Sequence, residues 1–266
     1  MLRGVITSPQ NSRVAAARKL RLRKERVAAG AFLVEGVRGC GEALESGWHV
    51  RDLFLTADHD ALAAQARDRG VSVTRIDDRV AKALTDTVNA QGAFAVVDMP
   101  TRDLESVVQA DPRLVVVLAG VADPGNAGAV IRTAAAAGAD AVVITRGGVD
   151  PYGGKCVRAT AGALFHVPVV ADVPVDEAVE TLRSTGMQVL ATSIDGDDLF
   201  AMESNLGRPT TWLFGSEAHG LDATAAATAD RHVRVPMAGA VESLNLAAAA
   251  AVCLYASARV QSTIQR

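Results

Sequence analysis

A polar loop follows the hydrophobic segment Leu114–Ala119 and contains the residues D-P-G-N-A-G-A-V-I-R, from Asp123 to Arg132. Asn126 stands where a helix is expected to begin, and Arg132 follows about one turn into that helix. An arginine near the positive N-terminal end of a helix can bind an anionic group such as a phosphate. The same residues also fit a simpler interpretation, in which Asn126 caps the helix and Arg132 is a surface residue.

Two later segments place glycine and polar residues directly after predicted strands. The first reads F-G-S-E-A-H-G from Phe214, and the second reads P-M-A-G-A-V-E-S-L-N from Pro236. No glycine-rich loop of the chain fits G-x-G-x-x-G, and Gly154-Lys155 is followed by Cys156 where a P-loop needs Ser or Thr. The chain therefore lacks the glycine fingerprint of a nicotinamide-dependent oxidoreductase, a class of protein that alternating strands and helices would otherwise allow.

In this order the three motifs resemble those of the SpoU branch of the SPOUT RNA methyltransferases. That family transfers a methyl group from S-adenosylmethionine to a ribose 2′-hydroxyl. The stretch R-A-T-A-G-A-L-F from Arg158 is similar to the segment that links the family's motifs, and residues 11–36 look like its small RNA-binding domain. One departure is Leu246-Ala247 after S-L-N, where the family often has V-S, so the hydroxyl at position 247 is missing.

The resemblance implies a catalytic set and a cofactor-binding set. The catalytic set is Arg132, Asn126, Glu217, Ser243 and Asn245. The cofactor-binding set, for S-adenosyl-L-methionine, is Gly215, Val235, Leu244, Leu213, Pro236, Met237 and Gly239. Simpler roles stay open for several of them, since Ser243 and Asn245 can cap a helix, Glu217 can sit at a helix N-terminus, and Val235 and Leu244 can be core residues.

The family usually assigns its first-motif arginine, here Arg132, to activation of the 2′-hydroxyl. A guanidinium is a poor proton acceptor at neutral pH, so holding the adjacent phosphate and stabilising a developing alkoxide suits its chemistry better. Family members are usually dimers with the active site near the interface. The sequence leaves open whether Arg132 acts within its own subunit or in the partner's site.

Around these motifs, strand and helix patterns alternate along the chain, which predicts an α/β fold. We expect an N-terminal RNA substrate-binding domain at 1–100, a linker at 101–112 and a SpoU-type methyltransferase domain at 113–266. In the second half the predicted strands lie at 114–119, 141–145, 167–170, 188–192, 211–214 and 232–235, and helices at 175–184 and 244–259. The resemblance implies a mostly parallel sheet with a deep trefoil knot there, and a small α/β domain before it.

The charge is distributed unevenly. The formal net charge is −3, yet residues 1–38 hold nine Lys or Arg against two Glu, a net +7. The spacing predicts one helix over Ser12–Ala29, from which basic side chains would reach RNA phosphates. The RNA-binding candidates are Arg18, Arg21, Arg23 and Lys24. The alternative interpretation is an ordinary solvated helix face.

Composition narrows the class of protein further. The weakly polar run Leu246–Ala258 spans 13 residues, short of the roughly 20 needed to cross a bilayer, and no signal peptide is visible. The three cysteines lie far apart, and the five histidines form no ligand-spaced cluster with them, so we expect no metal and a cytoplasmic protein. The expected partners are structured RNA, with rRNA (23S above all) favoured over tRNA, and a second copy of the chain. A tRNA 2′-O-methyltransferase and a non-catalytic RNA-binding protein that keeps the fold are the alternatives.

Overall fold

The computed structural model describes residues 4–217 and 219–264. The first hundred residues alternate helices and short strands. Their elements are α1 (Ser12–Lys19), α2 (Arg23–Ala29), β1 (Ala31–Glu35), α3 (Val37–Glu45), β2 (Val50–Leu55), α4 (Asp60–Asp68), β3 (Val73–Arg75), α5 (Asp78–Leu84) and β4 (Ala93–Asp98).

The remaining chain begins with a short helix and then builds a larger sheet. Its elements are α6 (Leu104–Gln109), β5 (Leu114–Leu118), α7 (Pro124–Ala136), β6 (Ala141–Thr145), α8 (Gly154–Ala159), β7 (Val169–Val173), α9 (Val175–Ser184), β8 (Gln188–Asp198), α10 (Glu203–Leu206), β9 (Thr210–Phe214), α11 (Ala223–Ala227), β10 (Arg231–Arg234) and α12 (Leu246–Ile264). Short 3-10 turns lie at Ala163–Phe165 and Leu199–Met202.

The chain divides into two compact units. The first unit holds the chain up to Thr101 together with Tyr152–His166, and the second holds Arg102–Pro151 and Val167 onward. The segment Tyr152–His166, which contains α8, therefore packs with the N-terminal unit although the sequence-based division places it in the methyltransferase domain. The first division between the units falls between Thr101 and Arg102, so α6 belongs to the second unit.

The first unit has a four-stranded mixed sheet in the order β1-β4-β2-β3. Strand β4 runs antiparallel to both β1 and β2, and β3 is parallel to β2. Buried side chains of α1 and α5, including Val14, Val80 and Leu84, pack on Phe54 and Phe94 of the sheet. These contacts attach the basic N-terminal segment to the unit's core.

The single helix predicted over residues 12–29 is wrong, because α1 ends at Lys19 and α2 starts at Arg23. Between them the amides of Leu20, Arg21 and Leu22 bond three residues back instead of four, which tightens the turn. The guanidinium of Arg26, which is buried, donates to the carbonyls of Leu20 and Arg21 at 2.7 and 2.8 Å. The break is therefore stabilised by a buried arginine side chain.

The second unit confirms the predicted α/β class. Its six strands are all parallel, in the order β10-β8-β9-β5-β6-β7. Strands β5, β6 and β9 are buried along their whole length, as expected of parallel strands covered on both faces. Since β5 and β9 are direct neighbours, with Leu118 opposite Phe214, the loops that follow them leave the same edge of the sheet.

Candidate active site

The first site loop follows β5 and ends in a well-capped helix. Asp123 is the N-cap of α7: its carboxylate accepts from the amide of Asn126 at 2.9 Å, and Pro124 occupies the first helical position. Sequence reasoning gave the cap to Asn126, but Asp123 performs it. The side chain of Asn126 is consequently not used by the helix end and can bond elsewhere.

The second loop follows β9 and folds back on itself. Ser216 and Gly220 exchange two backbone hydrogen bonds of 2.9 Å, which closes a tight turn that carries Glu217. A Cβ at Gly215 would lie 2.1–2.3 Å from backbone atoms of Gly220 and Leu221, so only glycine fits there. The shape of the turn accounts for this glycine without any ligand.

The third loop joins β10 to α12. Asn245 directly precedes this helix, and its side-chain oxygen accepts from the amide of Ala247 at 2.9 Å. Its carbonyl accepts from the amide of Ala249, also at 2.9 Å. Asn245 is therefore a helix cap, as the simpler interpretation held, but its amide nitrogen points away from the helix and forms a further bond.

Three of the predicted catalytic residues meet in one hydrogen-bonded cluster. The Nδ2 of Asn126 donates to Oε1 of Glu217 at 2.6 Å, and the Nδ2 of Asn245 donates to Oδ1 of Asn126 at 3.0 Å. These two bonds use the nitrogen and the oxygen of the Asn126 side chain, so they fix a single orientation of its amide group. The cluster is open to solvent and brings together one side chain from each sequence motif.

The other two predicted catalytic residues are not part of this cluster. Arg132 is exposed on α7, and six residues of helix separate it from Asn126 by about 9 Å along the axis. Ser243 is exposed in the loop before α12. Among the described contacts, neither side chain has a hydrogen bond or an ion pair with Asn126, Glu217 or Asn245.

The predicted cofactor residues differ in accessibility. Leu213 is fully buried in the core of the second unit, so only its backbone is left for a ligand. Val235, Pro236 and Met237 are half-buried in the loop after β10, and Gly239 is exposed. Leu244 is 37% exposed and Val241, in the same loop, is 62% exposed, which is unusual for large apolar side chains.

Two of the three cysteines are made unreactive by burial. Burial raises the pKa of Cys253, on α12, to about 12, and it raises the pKa of Cys40 even further. Both thiols therefore stay protonated at neutral pH. Within residues 4–217 and 219–264, no group of three or more His, Cys, Asp or Glu side chains is arranged to hold a metal ion.

The predicted RNA-binding residues are all exposed in the first unit. Arg21 has a structural partner, since its guanidinium donates to the carbonyls of Ala83, Leu84 and Thr85 at the C-terminal end of α5. Such a bond satisfies helix-end carbonyls and holds α5 against the basic segment. No hydrogen bond or ion pair among the described residues involves the side chains of Arg18 or Lys24.

Comparison with known proteins gives a consistent result for both units. Residues 113–255 match the SpoU rRNA methylase family, and residues 11–95 match the MRM3-like substrate-binding domain. The first match covers more than half of the chain. The chain therefore belongs to the SpoU rRNA methylase family, as the three motifs indicate.

Similar proteins match over nearly the full length. The 23S rRNA (guanosine(2553)-2′-O)-methyltransferase RlmP of Bacillus subtilis is 34% identical, covering 94% of this chain and 97% of its own. The 23S rRNA (uridine(2479)-2′-O)-methyltransferase of Streptomyces viridochromogenes is also 34% identical, covering 89% and 85%. A crystal structure of an AdoMet-bound rRNA methyltransferase from Sinorhizobium meliloti has a TM-score of 0.84 at 31% identity, covering 96% and 97%.

Among the described residues, no helix combines the length and apolar character that crossing a bilayer requires.

Proposed function

We propose that this protein transfers the methyl group of S-adenosylmethionine to the ribose 2′-hydroxyl of a nucleotide in 23S rRNA. The observation that carries the proposal is the bonded cluster of Asn126, Glu217 and Asn245, which draws one residue from each family motif to one edge of the parallel sheet. Two relatives that match along most of the chain carry 23S rRNA 2′-O-methylation in their names.

The loop between β10 and α12 has the chemistry to hold the cofactor. Leu244 and Val241 offer exposed apolar surface to an adenine ring. The described hydrogen bonds include none from the backbone amides of residues 237–244, so these groups are available to the polar edge of the base. When bound, S-adenosylmethionine supplies the activated methyl group.

The chain's own residues then orient the RNA. Glu217 fixes the Asn126 amide, and Asn245 fixes its opposite end, so that the free amide hydrogen and the second Glu217 oxygen face the incoming ribose in a set orientation. Arg132 holds the adjacent phosphate and stabilises negative charge on the 2′-oxygen as its proton passes to solvent. Ser243 contributes a hydroxyl beside Asn245.

We also propose that the working form is a homodimer in the cytoplasm, with the trefoil knot of the family in the second unit. The distance along α7 between Asn126 and Arg132 favours a site in which Arg132 serves the partner's cluster. Exposed aromatic side chains on the second unit, Tyr255 at 53% and Phe200 at 62%, provide apolar surface for a subunit contact. Mixing Arg132→Ala and Asn126→Ala chains tests this, because transfer recovers in mixed dimers only if the two residues act across the interface.

The test of the reaction itself is transfer of labelled methyl from S-adenosylmethionine into purified 23S rRNA, with tRNA as a second substrate. We expect ribose label in the rRNA and a loss of at least about 100-fold in Arg132→Ala. Arg102→Ala, which removes another exposed arginine of the same unit, should retain activity. Label in tRNA alone would change the substrate, and a protein that binds the cofactor but labels neither RNA would overturn the proposal.

A further inference from the structure

A cavity of about 170 Å³ lies in the first unit, where β1 ends and the segment with α8 packs. Its lining is mixed. Val157, Ala161 and Phe165 form apolar walls, whereas Glu35, Arg38 and Gln91 supply polar groups. The volume is below the roughly 300 Å³ at which pockets for drug-sized ligands begin, so it suits one planar ring system and not a whole cofactor.

The floor of the cavity holds one arginine paired with two carboxylates. The Glu35 side chain is 6% exposed, and Arg158 pairs with it at 3.1 Å and with Asp86 at 2.5 Å. Thr85 donates its hydroxyl to the other Glu35 oxygen at 2.5 Å. Because the arginine is already paired and the carboxylates outnumber it, the floor favours a neutral ligand with hydrogen-bonding edges over a free anion.

Two groups at the cavity remain available for a ligand. The side-chain amide of Gln91 has no hydrogen bond among the described contacts, and neither does the exposed guanidinium of Arg38. Gly36 has a φ of +102°, and a Cβ there would lie 2.7 Å from Oε1 of Gln91, so the glycine keeps the amide close to the backbone at this point. An amide offers both a donor and an acceptor, which matches the edge of a nucleobase.

The basic segment is linked to this cavity by contacts. Arg21, in the turn between α1 and α2, donates to the carbonyl of Thr85, and the Thr85 hydroxyl bonds Glu35 in the cavity floor. Arg18, Arg23 and Lys24 are exposed cations of the same unit and lie within three residues of Arg21 in the sequence. A strand of RNA held by phosphate contacts at this segment can place a base into it.

We propose that this cavity binds one unstacked base of the RNA, held by Gln91 and Arg38 against the apolar walls of α8 and Phe165. The inference rests on the proposed function, since it takes RNA as the substrate. It adds a second point of RNA recognition in the first unit, separate from the Asn126 cluster. Base contacts specify sequence where phosphate contacts only position the nucleic acid, so the cavity would contribute to target choice.

The test uses the full chain and 4-thiouridine-substituted 23S rRNA transcript. Photo-crosslinked peptides should include residues from 34–39, 91 or 157–165. Arg38→Gln and Gln91→Ala should each weaken binding of the transcript by about tenfold or more and reduce these crosslinks, as expected for losing one base contact. Arg67→Gln is the matched control, because it removes one exposed charge of the same unit away from the cavity.

The outcomes separate the two proposals. Equal weakening in Arg38→Gln and Arg67→Gln, or crosslinks confined to other segments, would overturn the base-binding cavity while methyl transfer by the wild-type chain continued. Absence of transfer and of RNA binding in the wild type, with the cofactor still bound, would overturn the proposed function and the cavity with it.

Discussion

Two polar clusters, one in each unit, use hydrogen bonds between distant parts of the sequence in opposite ways. Glu35, Arg158 and Asp86 form charge pairs around a carboxylate that is 6% exposed. Asn126, Glu217 and Asn245 form a cluster that contains one carboxylate, no cation, and free hydrogen-bonding capacity facing solvent. In the first arrangement every charged group is paired within the fold, whereas the second keeps hydrogen-bonding capacity for a substrate.

Removing the cation from the buried cluster tests the first half of this comparison and should have the largest effect. Arg158→Ala leaves Glu35 buried without its charge partner, which typically costs about 3–5 kcal/mol. We expect a strong fall in the free energy of unfolding of the first unit, measured by denaturant titration. Arg231→Ala breaks an exposed pair with Asp197 at 3.5 Å and should cost less than about 1 kcal/mol. Equal costs would contradict the distinction.

Introducing a charge into the open cluster tests the second half. Asn126→Asp places a carboxylate against Glu217, and we expect methyl transfer to fall about 100-fold because the hydrogen bond becomes a repulsion. Unfolding stability should change by only about 0.5 kcal/mol, since the site is open to solvent.

The double variant Asn126→Asp with Glu217→Gln reverses donor and acceptor across the same contact, so transfer should recover in part. If the double variant were no better than the single one, the bond between the two side chains would not be what orients Asn126.

A helix cap in the first unit gives the smallest effect and a dependence on pH. The backbone amide of Val80 donates to Asp77 and holds the pKa of this carboxyl below its usual value of 3.8. A depressed folded-state pKa stabilises the protein above the unfolded value, and this stabilisation is lost as the pH falls through the folded-state pKa. Asp77→Asn keeps a hydrogen-bond acceptor but has no charge. The difference in melting temperature between this variant and the wild type should therefore shrink as the pH is lowered from about 6 to about 2. A difference in melting temperature that grew as the pH fell would contradict a stabilising role for the Asp77 charge.

The sequence alone was enough to predict the bounds of helices and strands that have strong local patterns. The helix Val175–Ser184 and the strand Ala141–Thr145 were predicted with their observed bounds because their hydrophobic patterns are regular. The break after α1 was missed because it depends on the Arg26 guanidinium turning inward onto backbone carbonyls. Hydrophobic periodicity contains no information about such a contact.

Three residues of the hydrogen-bonded cluster were candidates from the sequence, but the bonds between them could not be predicted. The motif resemblance supplied Asn126, Glu217 and Asn245, whereas their mutual bonds span 91 and 119 residues of sequence and need the sheet order to appear. The role of Asp123 was readable, since Asp-Pro at a helix start is a common capping signal. Glu35 and Arg158, 123 residues apart, left no signal that would pair them.

The packing of Tyr152–His166 with the first unit also sets an order of events during synthesis. The sheet of that unit is complete once Asp98 has been made, but the cation that neutralises Glu35 is Arg158, about sixty residues later. At about 5–20 residues per second, the ribosome takes several seconds to supply it. During that interval Glu35 lacks its cation, and strands β5 and β6 of the other unit are already being translated. The N-terminal unit therefore completes its folding only after part of the catalytic half has been translated.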